Sequence, residues 1–317
     1  MTTRFLNARA SAAALAAALL LAACGGESAP ANGAAEPDAP SAAAAAAAAP
    51  AMWRMTDEDS EIVLFGTFHL LPPGTEWRTD AFEAAMERTE TTYTEADVTS
   101  PEAQAKLQQL VQQYGLNPPG VTLSGLLGEE RAAAFAEVAG RYGAPMQNFE
   151  PLRPWLAMLS LSQAAYAQAG FDPTSGVEPV VLAAAAEEGD AIAYLETAER
   201  QIEALASLDE EEMLGNFDAS MEQFDNLEQQ LLDSVEAWRV GDIDGLDALL
   251  LEEARTMAPG AFEAIFTKRN AEWVVDIKEL MAGEGDYFIA VGAGHLVGEA
   301  SVVEMLEDEG FAVERVQ

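Results

Sequence analysis

Cysteine occurs once in this sequence and histidine twice, as Cys24, His69 and His295. A lone cysteine closes no disulfide within the chain, so the fold must be held by its core alone. It also excludes thiolate metal clusters and a cysteine nucleophile. Basic residues are scarce too: 16 Lys and Arg stand against 54 Asp and Glu, a net charge of -38. Such a field repels phosphate backbones and excludes nucleic acid as a partner. The acid is spread over many segments rather than gathered in one block, which reads as a solvated surface that keeps the protein soluble. Several signatures are missing as well. There is no phosphate-binding loop, no dinucleotide glycine fingerprint, no His-Glu-x-x-His helix and no Gly-x-Ser-x-Gly elbow. No heptad or short repeat runs through the chain.

What is present begins with an export signal. Arg4 and Arg9 precede a short Ala and Leu stretch, Ser11 to Leu21, that ends Leu21-Ala22-Ala23-Cys24. The stretch is too short to span a bilayer comfortably. Its ending resembles a bacterial lipobox, which implies cleavage before Cys24 and lipidation of that residue. A lipid anchors a protein without a transmembrane helix. Gly25, not Asp, follows Cys24, and this resembles outer-membrane sorting. The expectation is an exported lipoprotein on the periplasmic face of the outer membrane. The chain then divides into a signal peptide (1–23), an Ala/Pro tether (24–51) and a folded domain (52–317). The tether has almost nothing large to bury and cannot offset its own ordering entropy.

The two histidines close similar patterns. Ile62-Val63-Leu64-Phe65-Gly66-Thr67-Phe68-His69 and Tyr287-Phe288-Ile289-Ala290-Val291-Gly292-Ala293-Gly294-His295 are each an apolar run followed by Gly-x-x-His. A β-branched and aromatic run ended by Gly reads as a buried strand. Each histidine is thereby delivered just past the carboxyl end of a strand, where open α/β sheets hold ligands. A helix and a further strand follow in both cases: Thr79 to Arg88 then Thr91 to Glu95, and Glu299 to Glu309 then Phe311 to Val316. The fold class expected is α/β, a central mixed sheet from two related strand–Gly-x-x-His–helix–strand halves. Between them lies a large inserted helical region, with helices over Pro101 to Tyr114, Leu126 to Tyr142, Pro154 to Ala169, Gly176 to Glu188, Met221 to Trp238, Gly245 to Arg255 and Pro259 to Met281. A strand is expected at Ala191 to Leu195.

With the other chemistries excluded, two histidines and a carboxylate form the best constellation. Imidazole and carboxylate suit a divalent transition metal (Mn, Co or Zn), and two or three protein ligands leave open positions for water to be activated. Glu95 is the carboxylate expected, because it ends a strand that would lie parallel beside the one bearing Gly66. Glu95, His69 and His295 are thus the candidate catalytic and metal-binding residues. They are expected to face one pocket, lined by glycine backbone at Gly66, Gly292 and Gly294 that lets substrate approach closely.

Taken in order, Gly66-Thr67-Phe68-His69-Leu70-Leu71-Pro72, Glu95, Leu152-Arg153-Pro154-Trp155, Gly176-Val177-Glu178, Leu195-Glu196-Thr197, Arg269-Asn270 and Val291-Gly292-Ala293-Gly294-His295-Leu296-Val297-Gly298 resemble the TraB/GumN family. That family is related to the Tiki proteins, metal-dependent proteases with two Gly-x-x-His motifs and an essential Glu. More distantly it resembles erythromycin esterases and a haem-binding lipoprotein group. The resemblance implies a metal-dependent, peptidase-like hydrolase acting on a peptide or small molecule. The alternative is a non-catalytic lipoprotein that sequesters a peptide, metal or haem. It further implies that Arg153, Arg269 and Asn270 line the cleft, the arginines pairing with Glu196 or stabilising an oxyanion. Glu178 departs from the family's usual Asp at that position.

Overall fold

The computed structural model describes residues 48–317. The expected export signal, Cys24 and most of the expected tether lie outside the described residues. A six-stranded mixed sheet carries the fold: β1 (Met52–Thr56), β2 (Ser60–Thr67), β3 (Thr91–Thr94), β4 (Ala191–Tyr194), β5 (Gly285–Gly292) and β6 (Glu314–Arg315). Their order across the sheet is β4-β3-β5-β2-β1-β6. The four strands from β4 to β2 run parallel, and β1 is antiparallel to both β2 and β6.

β1 and β2 form a hairpin because the acidic turn between them bonds to itself: Asp57 Oδ1 accepts from the backbone N–H groups of Asp59 and Ser60. Ile62, Val63, Leu64 and Phe65 are at most 2% exposed, on both faces of β2, as expected of a strand covered on either side. On one face Phe65, Trp77, Phe82 and Phe288 pack with ring centroids 5.0–5.9 Å apart. Buried apolar residues from Ala51 to Leu306 form one continuous core.

The expected mixed sheet and inserted helices are present, with corrections. β3 pairs with β5 and β4, not with β2. β5 comes from the far end of the chain and inserts between them, a non-local choice that neighbouring sequence cannot express. The two histidine-bearing units also differ in the sheet. β2 leads to β3 two places away on one side, whereas β5 leads to β6 three places away on the other. β6 is only two residues long. The helix before it begins at Val302, because Ala300 takes a positive φ of 61° and Ser301 caps the helix by accepting from Glu304 N–H. The stretch Met221 to Trp238 is two helices, Phe217–Gln223 and Leu227–Arg239. Pro259 to Met281 holds a π-helical turn, Glu263–Thr267, ahead of the helix Lys268–Met281. No helix among the described residues is long and apolar enough to cross a membrane.

Candidate functional site

His69 follows the end of β2 and is fixed from the side by the helix Val177–Glu188. The start of that helix docks on the histidine loop: Val177 N–H donates to the Phe68 carbonyl at 2.9 Å. Gly176 makes this approach feasible, since a Cβ there would lie 2.2 Å from the His69 carbonyl oxygen. In the first helical turn, Glu178 Oε1 sits 2.5 Å from His69 Nδ1 and also accepts from the Thr67 hydroxyl. The carboxylate holds the proton on Nδ1 and directs Nε2 into the site. Nε2 is buried and has no hydrogen-bond partner. Burial pulls the His69 pKa down, but the charge and hydrogen bond of Glu178, with Glu95 behind them, outweigh it and hold the pKa above its ordinary value.

His295 lies in the short turn Ala293–His295 after β5. Its ring is held between Phe266 and Trp273, with centroids 4.9 and 4.5 Å away. Asn270 Nδ2 donates to the Ala300 carbonyl at 2.7 Å, which turns Oδ1 toward the imidazole, 2.5 Å from Nδ1. Nδ1 therefore carries the proton. Nε2 accepts from Arg269 Nη1 at 3.1 Å. Burial first, and the Arg269 charge second, lower the His295 pKa to about 3, so the ring is neutral.

Glu95 and Glu196 end the neighbouring strands β3 and β4, and both side chains are buried, 7% and 4% exposed. Arg269, fully buried, lies between them. Its Nη2 reaches Glu95 Oε2 at 2.6 Å and Glu196 Oε1 at 2.5 Å. Glu95 Oε2 also accepts from Gln201 Nε2, and Oε1 accepts from the Gly292 N–H at 2.8 Å. Burial alone would raise the Glu95 pKa. Arg269, the histidines and the Gly292 N–H overcome it and lower the value to about 2. Burial and the charge of Glu95 push Glu196 the other way, because one guanidinium cannot fully compensate two carboxylates.

The three residues meet at one place. A Cβ built on Gly292 would lie 3.1 Å from Glu95 Oε1, 3.5 Å from His295 Cδ2 and 4.0 Å from His69 Nε2. His69 and His295 open onto a cleft with about 390 Å³ of free space, part of it open to solvent, walled by Phe68, Leu250, Leu251 and Phe266. Gly292 and Gly294 are on its surface. Gly66 is not: it packs against Ala293, and its carbonyl accepts from Trp238 Nε1. Arg153 is not brought to the cluster either, because its guanidinium pairs with Glu210 at 2.6 and 2.9 Å. Asn270 holds His295 rather than facing the cleft.

A divalent metal shared by His69, His295 and Glu95 does not fit this arrangement. An imidazole binds metal through a free lone pair, and the only one on His295 is engaged by Arg269. Among the described residues no group of three or more His, Cys, Asp or Glu is placed to hold a metal. His69 Nε2 keeps its lone pair free at the cleft, whereas Glu95, expected on the cleft wall, lies against the Gly292 backbone and does not line it.

Four residues of the cluster were not among the sequence candidates for it: Glu178, Gln201, Thr67 and, as more than an arginine partner, Glu196. Thr67, Glu178 and Glu196 lie within the family-like motifs, so the signal was there. Gln201, a polar residue on an amphipathic helix, carried none.

Comparison with curated proteins and with solved structures returns no match for this chain. The sequence profile of the TraB/PrgY/gumN family matches residues 51–315, a span that holds every strand of the sheet and every residue of the cluster, and the chain belongs to that family.

Proposed function

We propose that the chain is a hydrolase in which His69 activates water for attack on a carbonyl, peptide bonds being the substrate class that the Tiki resemblance implies. One observation carries this reading: His69 Nε2 is buried and unpartnered at a cleft, while Nδ1 is tied to Glu178. Neutral His69 takes a proton from water at Nε2, and the Nδ1–H bond to Glu178 strengthens as the imidazolium forms. The same proton is then available to the leaving group. Glu95, held ionised beside it, stabilises the transient positive charge. Arg269 is withdrawn from substrate, so it serves the site without touching the reacting atoms.

Cleavage of a peptide library, with and without chelator, tests the reading. Wild-type protein is expected to cleave, and His69→Gln to lose at least about a hundredfold in kcat/KM. Cleavage unaffected by that substitution would end the proposal. A second reading, a non-catalytic lipoprotein that sequesters a peptide, metal or haem, is favoured by the internal use of Glu95, Glu196 and His295 lone pairs by Arg269. Stoichiometric peptide binding without turnover would select it.

In either reading we propose attachment to the periplasmic face of the outer membrane through a lipid on Cys24, supported by the lipobox-like Leu21-Ala22-Ala23-Cys24. Cys24→Ser is expected to leave the membrane fraction or remain unprocessed.

A further inference from the structure

All five N–H groups of Arg269 are used inside the protein. Nε donates to Glu196 Oε1 and Oε2 at 3.1 Å, and Nη2 donates to Glu95 Oε2 and Glu196 Oε1. Nη1 donates to the Ile265 carbonyl and to His295 Nε2, each at 3.1 Å. The guanidinium carbon lies 4.8 Å from the Trp273 ring centroid, which closes one face. Arg269 itself is 0% exposed. Two carboxylates, an imidazole nitrogen and a backbone carbonyl are also the donors that divalent metals choose in proteins. A metal ion and the guanidinium would compete for the same lone pairs. Arginine, unlike a metal, cannot dissociate, and it keeps its charge at any pH the fold survives.

We propose that Arg269 is the resident cation of this site. It stands between Glu95, Glu196 and His295 and occupies the lone pairs that a divalent metal would need, and it positions His295 at the cleft. The π-helical turn Glu263–Thr267 contributes to that placement. It lies immediately before the helix that carries Arg269, and it supplies both the Ile265 carbonyl and Phe266, which packs on His295. Arg269 is therefore a positioning residue, and removing it should free these lone pairs for a metal ion once the side chains relax around it. The inference concerns metal binding alone and holds whether or not the cleft hydrolyses anything.

Calorimetric titration of the folded full chain with Co²⁺ and Zn²⁺ tests it, with the visible spectrum of Co²⁺ as a signature of the ligands. Wild-type protein is expected to bind no ion through Glu196 or His295. Any ion it does take should be lost in His69→Gln and unchanged in Glu196→Gln. Arg269→Ala is expected to bind one ion per chain roughly tenfold or more tighter than wild type. That gain should vanish when His295→Gln is added. A wild-type ion whose affinity falls about tenfold in Glu196→Gln or His295→Gln would overturn the proposal. A folded Arg269→Ala protein with no gain in affinity would overturn it equally. Should Arg269→Ala not fold, the wild-type and Glu196→Gln titrations decide the matter by themselves.

Discussion

Glu178 and His69 form a pair whose two partners have separable roles. Glu178 holds the imidazole in place and also raises its pKa. As a base, His69 works when neutral, so kcat/KM should rise with pH through a value above that of an ordinary imidazole. Glu178→Gln keeps a partner for Nδ1 but removes the charge. Its rising limb should therefore move to lower pH, with kcat reduced at the plateau; an unmoved limb would assign the limb to another group. His295 is perturbed in the opposite sense. Its folded pKa is about 3, well below that of an unfolded histidine, so the folded state excludes a proton that the unfolded state binds. The stability it contributes is complete above about pH 6.5 and is lost as pH falls toward 3. Between pH 7 and 4, wild-type protein should lose about 3 kcal/mol more than His295→Gln. Urea unfolding of both proteins at the two pH values measures this, and carboxylates common to both cancel. Equal losses would mean that His295 is not held neutral.

At the scale of elements, strand ends deliver the chemistry and helix starts secure it. β2, β5, β3 and β4 bring His69, His295, Glu95 and Glu196 to one sheet edge, while the helices Val177–Glu188 and Lys268–Met281 supply Glu178 and Arg269. Gly176 is where one such helix docks. An added methyl group would overlap the His69 backbone, which cannot rotate away as a side chain would. Gly176→Ala should therefore cost about 3 kcal/mol and disturb His69 together with its neighbours. A loss under about 1 kcal/mol in chemical denaturation would show that the helix start can shift. The legibility of the site follows the same division. Apolar runs ended by Gly-x-x-His announce strands that stop at a histidine, and Glu95 at the end of Thr91–Thr94 could be picked out the same way. The pairing of β3 with β5 could not, because it is settled by packing between segments nearly two hundred residues apart. For Arg269 the family resemblance points to Glu196 as a partner, but its complete burial between Glu95, Glu196 and His295 follows only from the convergence of three strand ends. The close approach at Gly176 is likewise a tertiary fact. Arg153, in a quoted motif, shows the converse: a motif position says nothing about where a long side chain finds its partner.

For the whole molecule, the acid excess sets the response to salt. Every Lys and Arg among the described residues except Arg315 stands in an ion pair. Most of these pairs have at least one side chain more than a third exposed, as in Arg54–Glu314 and Lys268–Glu263, and such pairs are worth about 0–1 kcal/mol each. With 54 acidic and 16 basic residues in the chain, most carboxylates are left without a cationic partner and repel one another across the surface. Salt weakens both effects, but the unpaired repulsion involves many more charges, and the pair most protected from screening, Arg269 with Glu95 and Glu196, is buried. Screening should therefore stabilise the fold on balance. Raising sodium chloride from about 0.01 to 0.5 M shortens the screening length from roughly 30 Å to about 4 Å. The melting temperature should rise by a few degrees over that range. Chloride is the suitable anion for the test, because sulfate would strengthen apolar burial in its own right. A melting temperature that fell with sodium chloride would show that the surface ion pairs outweigh the excess of acid.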